Sequence, residues 1–499
     1  MKQKLALVFS VFLIFSLFSG CHKPNTNISP EKPEDFEGTQ IQLSDNGITV
    51  NSAAVTGDRE QAVYIANDII YYEAGHDFTY GEGSEKDAHS AAEAAAHTVV
   101  HITKPGQYIL SGKLSKGQIA IDLGENAEED PSAVVTLVLC GVNITCEVAP
   151  AILFYNVYEC GNKDETSAGA NVDTSKAGAN ILLADATENT ISGSYVAKIY
   201  KPGTVELNED GTEVLDAKKL HKYDGAVYSK MSMNVDGSGY GIGSMKIHAE
   251  NEGLDSELHL TINGGQISIN SGNDGINTNE DNISVTTING GSLDIIVNGS
   301  TGEGDGIDSN GWLVINNGMV KAQACATSGD AGIDSDMGIH INGGFVFATG
   351  NMLDRIAESK QNYAVFQLAQ ANTGAYELKN SKGDSIAYSN VENRFTYLLI
   401  STGRMAAGDY TLWCGDTQLQ GMASGNMGGP SGMQPPADGQ QPPEGIPPHD
   451  GIGGQPGSRP GQGNRPGQGG QSPENGGTPS TTFPIQDGGN YFVSVKESE

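Results

Sequence analysis

The stretch GEGDGIDSNGWLVINNG, residues 302–318, sets Asp305 and Asp308 three residues apart, just ahead of a short apolar alternation. Nearly the same phrase recurs as EGLDSE from Glu252, DGINTN from Asp274, DGIDSN from Asp305 and AGIDSD from Ala331, with a looser DGAVYS from Asp224. Aligned, the copies form three columns of oxygen-bearing side chains. One holds Asp255, Asn277, Asp308 and Asp334; another, two residues on, holds Glu257, Asn279, Asn310 and Asp336. The third, three residues earlier than the first, holds Glu252, Asp274 and Asp305 and ends at Ala331. Carboxylates alternating with amide oxygens suit a hard divalent cation, because the amides ligate without adding charge.

The chemistry depends on what brings the copies into register. An apolar–Asn–Gly turn appears as VDGSG at Val235, INGG at Ile262, INGG at Ile288, INNG at Ile315 and INGG at Ile341, at intervals of 27, 26, 27 and 26 residues. Such a period without helical spacing marks a β-solenoid. Period-2 strands flank each turn, LHLTI and QISI among them, and Asn and Gly at the bend are expected to supply positive φ. Alternation then turns Leu254, Ile276, Ile307 and Ile333 inward, with Ser256, Thr278, Ser309 and Ser335 as an inward hydroxyl file, and turns the acid columns outward.

Neighbouring coils of a parallel ladder lie ~4.8 Å apart. Two carboxylates at that spacing repel by roughly 3–4 kcal/mol at an effective dielectric of 20. Protonation, splaying into water or a bound cation must relieve them. Ca²⁺ takes six to eight oxygens at about 2.3–2.6 Å, so one ion can bridge adjacent coils. Asp, Asn and Gly also make Asx turns at corners, which would need no metal.

Over the whole chain, 61 acids against 28 Lys plus Arg leave a net charge of −33, which disfavours nucleic acid and anionic headgroups. MKQKLALVFSVFLIFSLFSGC, with Lys2 and Lys4 before an apolar run, reads as a secretory signal. Its ending LFSGC resembles a bacterial lipobox with Cys21 as the lipidated residue, and Phe18 as a departure. The other cysteines show no CxxC spacing; Cys140 and Cys146 could pair. Residues 97–195 read as further β-coils interrupted by polar inserts at 161–178 and about 200–222, with EKDAHSAAEAAAH as a helical excursion. YELKN, RFTYLLIST and GDYTLWCG suggest an antiparallel cap with Trp413 in its core.

The ordered phrases ITKPGQYILSGKL, TLVLCGVNIT, ADATENTISG, DGAVYSK, DGIDSNG and GGFVFATGNM resemble secreted bacterial carbohydrate-binding β-helix proteins related in fold to calcium-dependent polysaccharide lyases. The resemblance implies an all-β, right-handed parallel β-helix, bound Ca²⁺ and binding of cellulose or acidic pectin-like polysaccharide. It implies metal ligands among Glu252, Asp255, Asp274, Asn277, Asp305, Asp308, Asn310, Asp334 and Asp336. The expected organisation is a lipoprotein signal at 1–20, a tether at 21–40, a carbohydrate-binding β-helix at 41–350 and a cap at 351–420. A disordered Gly/Pro/Gln-rich insert at 421–480 and a strand at 481–499 complete it. Sugar stacking falls to Trp312, with His259 in its column, and to Tyr228 and Tyr240. The expected protein is a monomer, exported and lipid-anchored at the bacterial cell surface, touching membrane only through its anchor.

Two other functions stay open. A lyase would need a Lys or Arg base beside the cation, and between residues 224 and 350 the chain offers only Lys230, Lys246 and Lys321. An adhesin or spacer would use calcium only to hold its coils together.

Overall fold

The computed structural model describes residues 28–424 and 478–498. The expected signal peptide, Cys21 and most of the Gly/Pro/Gln-rich insert lie outside the described residues. Within them the chain is nearly all β, with a short α-helix at Ala91–Ala95 closed by reciprocal Ser90 and Glu93 hydrogen bonds.

Pairing follows the repeat. In a seven-stranded sheet, Ile152–Asn156, Gly225–Ser229, Glu252–Ser256 and Ile276–Thr278 pair parallel in sequence order, and a bridge from Ile276 to Ile307 extends the ladder. Two more parallel ladders run through a 24-stranded sheet. One passes through Met233–Gly237, His259–Ile262, Val285–Ile288, Trp312–Ile315 and Gly338–Ile341. The other passes through Ser244–Ala249, Gln266–Ser271, Ser292–Val297, Met319–Gln323 and Phe345–Gly350.

Stacking like on like fills the interior. Leu254, Ile276, Ile307 and Ile333 are buried in one file, and Ile262, Ile288, Ile315 and Ile341 in another. The hydroxyl file is buried too, and it is satisfied. Ser256 Oγ donates to the carbonyls of Met231 and His259, and Thr278 Oγ1 meets Ser309 Oγ at 2.8 Å. A buried hydroxyl without such a partner would cost about 1–3 kcal/mol.

The turns divide their labour differently from the sequence expectation. In the four turns that begin Ile–Asn, positive φ is carried by the last glycine, Gly265, Gly291, Gly318 and Gly344, at 78° to 90°. The asparagines instead form an amide ladder: Asn289 donates to Asn263 at 2.9 Å, Asn316 to Asn289 and Asn342 to Asn316, each at 2.8 Å. A side-chain amide presents N–H donors on one side and an acceptor oxygen on the other, so identical residues at the rung spacing bond head to tail.

Several boundaries move. The tether expected to reach residue 40 is docked well before that. Cys140 Sγ donates to the Glu31 carbonyl, the Glu31 carboxylate accepts from Asp185 N–H, and Thr39–Leu43 pairs parallel with Gly106–Leu114. The parallel ladder also gains a rung past residue 350, because Ile356–Ser359 pairs with Gly338–Ile341. Beyond it, Tyr363–Asn380 and Ser385–Thr402 form a long antiparallel pair, and the second of these also pairs antiparallel with Phe345–Gly350. This end has its own core of Phe366, Phe395, Phe483 and Phe492. Trp413 is only half-buried, its ring under Lys379 Nζ at 4.8 Å. Residues 421–424 finish the strand Thr417–Ser424, and Gly489–Glu497 returns beside Tyr363–Asn380. Cys140 and Cys146 are both free thiols.

The glycine before each Leu or Ile in the acid phrases is required by rung-to-rung contact. A Cβ on Gly253 would lie 2.4 Å from the Gly275 carbonyl oxygen, one on Gly275 2.5 Å from that of Gly306, and one on Gly306 2.3 Å from that of Gly332. Gly306→Ala is therefore expected to cost about 1–3 kcal/mol or more. Gly329→Ala, which meets nothing within 4 Å, should stay within about 0.5 kcal/mol. Urea midpoints of the two variants check this, and equal midpoints would refute the close approach.

Candidate functional site

The seven-stranded sheet carries the acid columns. Tyr228 pairs with Asp255 and Asp255 with Asn277, and Asp308 N–H bonds to Ile276 O and Asp334 N–H to Ile307 O. One file therefore runs Tyr228, Asp255, Asn277, Asp308, Asp334. In the neighbouring file each acid reaches up to the next rung. Asp274 Oδ1 accepts from Asp305 N–H at 2.6 Å, and Asp305 Oδ1 from Ala331 N–H at 2.5 Å. The alanine that breaks the acid column is thus served through its backbone.

The columns do not stand in water as alternation alone implies. Asp255 is fully buried, Glu252 is 6% exposed, and Asp274 and Asn277 are each 8% exposed. Asp305, Asp308, Asn310 and Asp334 are half-buried, and Asp336 is exposed. Alternation points these side chains away from the apolar interior, but the segment ending at Asp224 folds against the start of the file. Lys222 Nζ lies 3.8 Å from Glu257, the Tyr228 hydroxyl donates to Glu257 Oε1 at 3.0 Å, and the Lys198 charge acts on Asp224 and Glu252.

Two groupings emerge. Glu252, Asp255 and Asn277 are linked by amides: Asn277 Nδ2 donates to Glu252 Oε1 at 3.1 Å, and Asn279 Nδ2 to Asp255 Oδ1 at 2.6 Å. Each of the three keeps one buried oxygen without a hydrogen-bond partner among the described residues, namely Glu252 Oε2, Asp255 Oδ2 and Asn277 Oδ1. Further along, Asp305, Asp308 and Asp334 each bring a carboxylate oxygen within 4.8 Å of the others. At that distance each ionised pair repels by about 3–4 kcal/mol at an effective dielectric of 20.

Burial is the first cause of the raised carboxyls, and the neighbouring carboxylates push in the same direction. Glu252, Asp255, Asp305 and Asp308 are held well above the ordinary carboxylate range; Asp274 is pushed up to about 7 and Asp334 to about 8. The charges that bear most on Asp305 are all carboxylates: Asp334, Asp274, Asp308 and Asp330. Asp224 and Glu257, by contrast, have lysines beside them. No lysine or arginine stands among the charges that act most on Asp255, Asp274, Asp305, Asp308 and Asp334. The chemistry available is that of a divalent-cation seat: converging hard oxygens, some of them otherwise unpartnered.

Asp354 belongs here too. Its charge bears on Asp308 and Asp334, and its Oδ2 is buried without a partner among the described residues. It lies on no copy of the acid phrase, so only its place one rung beyond could have flagged it. The Lys198 contribution is likewise invisible to the repeat, since the residue lies just ahead of the insert at about 200–222. Lys321 sits between Asp294 and Phe347 on a ladder of the larger sheet, away from the acid file.

The expected sugar-stacking residues are not gathered into one surface. Tyr228 is buried with its hydroxyl on Glu257. His259 is buried against Gly161, accepts the Val285 N–H at Nδ1, and is held neutral by burial, its pKa lowered to about 4. Trp312 is half-buried, two rungs from His259 through Val285. Tyr240 is 76% exposed on a separate turn. The insert around Gly161 covers the column that alternation points outward.

A family model described as carbohydrate-binding domain-containing protein matches residues 96–385, more than half of the chain. The chain belongs to this carbohydrate-binding domain-containing family. The match takes in every acid of the file from Asp224 to Asp354. No curated protein matches significantly. Among solved structures, the gadolinium derivative of a polysaccharide lyase-like protein from C. thermocellum aligns at 19% identity and a TM-score of 0.31, covering 62% of this chain and 93% of that one.

The family member's acid file makes its stability pH-dependent in a definite direction. Asp274 and Asp334 hold protons in the folded state up to about pH 7 and about 8, whereas the unfolded chain releases them near 3.8. The folded state binds more protons across that window, so stability falls as pH rises through it. In chelator, the thermal midpoint should drop between about pH 4 and pH 8. Asp308→Asn should raise the midpoint at pH 8 and leave it nearly unchanged at pH 4. A midpoint that rises with pH in chelator would contradict the buried, crowded acids.

Proposed function

We propose that this chain is a non-catalytic polysaccharide-binding protein of the bacterial cell surface, built as a right-handed parallel β-helix that holds calcium along its acid file. The observation that carries the reading is the Asp305, Asp308 and Asp334 cluster, three converging carboxylates without a cationic neighbour among their strongest charges, in a chain of a carbohydrate-binding family. The 26- and 27-residue period and the parallel in-register ladders support the helix; the lipobox-like LFSGC supports export and lipid anchoring at Cys21.

Calcium would be held by Asp305, Asp308 and Asp334, with Asp274 and Asp354 beside them, and by Glu252, Asp255 and Asn277 in the buried group. When bound, the ion neutralises the file and offers coordination to the carboxylate and hydroxyl oxygens of an acidic sugar. Asn277 and Asn279 orient the acids with their amides, and the backbone N–H groups of Asp305 and Ala331 fix one oxygen of each acid below. The cellulose and acidic pectin-like glycans implied by the resemblance are the first ligands to test.

Retention on insoluble polygalacturonate in millimolar Ca²⁺, with release by chelator, is the expected outcome. Asp305→Asn combined with Asp308→Asn should abolish that retention and the calcium-induced rise in thermal midpoint. Ultraviolet absorbance should show no unsaturated product on prolonged incubation; its appearance would install the lyase reading instead. A protein stabilised by calcium yet retained on no glycan would be a spacer.

A further inference from the structure

One cleft lies apart from the acid file. Residues Ile69–Tyr80 form one wall and Ile199–Leu220 the other, around a cavity of about 890 Å³. The second wall falls in the polar insert at about 200–222, and the first precedes the family-matched residues 96–385.

The walls are built together. Tyr200 N–H donates to Tyr80 O at 2.8 Å, Glu82 N–H to Lys198 O at 2.8 Å, and Gly81 bridges Ile199. Lys219 Nζ ties back to Glu82 at 3.1 Å. Inside, His76 stacks flat on Tyr80, ring centroids 3.9 Å apart, and its Nε2 meets Glu73 Oε2 at 3.0 Å. Tyr80 is held by that stack and by the tilted Tyr72 ring, centroids 5.0 Å apart, while both it and Tyr200 remain only half-buried. Ile70, Leu207 and Leu220 line the cleft with exposed apolar surface, 37–43% accessible.

This combination fits one ligand chemistry. Flat aromatic and aliphatic surface takes the C–H face of a pyranose ring, while Glu73 and Asp77 can accept from its hydroxyls. The lining holds two carboxylates and no lysine or arginine. Glu73 is paired with His76 and Asp77 has no lysine or arginine beside it in the lining, so a uronate gains no strong counter-ion, whereas a neutral sugar meets acceptors. We infer that this cleft is a second glycan site, selective for neutral pyranose chains and independent of calcium. It rests on the glycan-binding reading of the chain but uses a surface separate from the acid file.

The test uses the full chain and two probes. Calorimetry with cellohexaose and mannohexaose, in chelator, should detect binding of at least one, weakened roughly tenfold or more by Tyr200→Ala. Tyr200→Phe should keep most of that binding, which separates ring contact from misfolding, and matched thermal midpoints check the same point. Oligogalacturonate binding in Ca²⁺ should be unaffected by Tyr200→Ala. Absence of binding to both neutral probes, or equal affinity in wild type and Tyr200→Ala, overturns the cleft. Either result leaves calcium-dependent polygalacturonate retention standing as its own measurement, so the two readings fail separately.

Discussion

The spacing between parallel strands governs this molecule. Once successive repeats pair in register, every residue meets its own equivalent ~4.8 Å away, and each residue type must tolerate its own kind as a neighbour. Isoleucine does so by packing, serine and threonine by bonding to turn carbonyls, and asparagine by passing an amide hydrogen bond from Asn263 through to Asn342. Glycine does so by having no side chain, as the 2.3–2.5 Å approaches at Gly253, Gly275 and Gly306 require. Carboxylates are the exception, because stacking them gives repulsion.

That exception links the fold to the proposed function. A file of acids that packing alone cannot reconcile is a standing demand for positive charge, and it is met unevenly. At the Glu257 end, Lys222 and the Tyr228 hydroxyl answer it; at Asp305, Asp308 and Asp334 the strongest neighbouring charges are acids. The protein is least content where a divalent cation would be most useful to an incoming acidic sugar. Under the proposed function, stability and recognition would be linked properties of the same oxygens, since anything that binds only the folded arrangement also stabilises it.

The inserts do what the regular ladders cannot. A flat stack of identical rungs offers no pocket, so concavity has to come from chain that leaves the period. The Gly161 segment roofs His259, the Lys198–Asp224 segment closes over Glu252, and the same excursion joins Ile69–Tyr80 to enclose a cleft. Covering and exposing thus alternate around the ladders, and the surface left for ligands is decided by these departures.

The repeat, the identity of the inward and outward files and the acid columns were legible in the sequence, because a period of 26 or 27 residues and a side-chain alternation of two are one-dimensional properties. Even so, the turn asparagines depart from expectation: their φ is ordinary and their amides bond across rungs, a partner only a folded neighbour can supply. Burial of Asp255, the enclosure of His259 and Tyr228, the docking of residues 28–43 and the arrival of Asp354 and Lys198 at the acid file were decided by tertiary structure alone. Each depends on chain distant in sequence folding over a surface, and alternation specifies which way a side chain points but not what comes to lie on top of it.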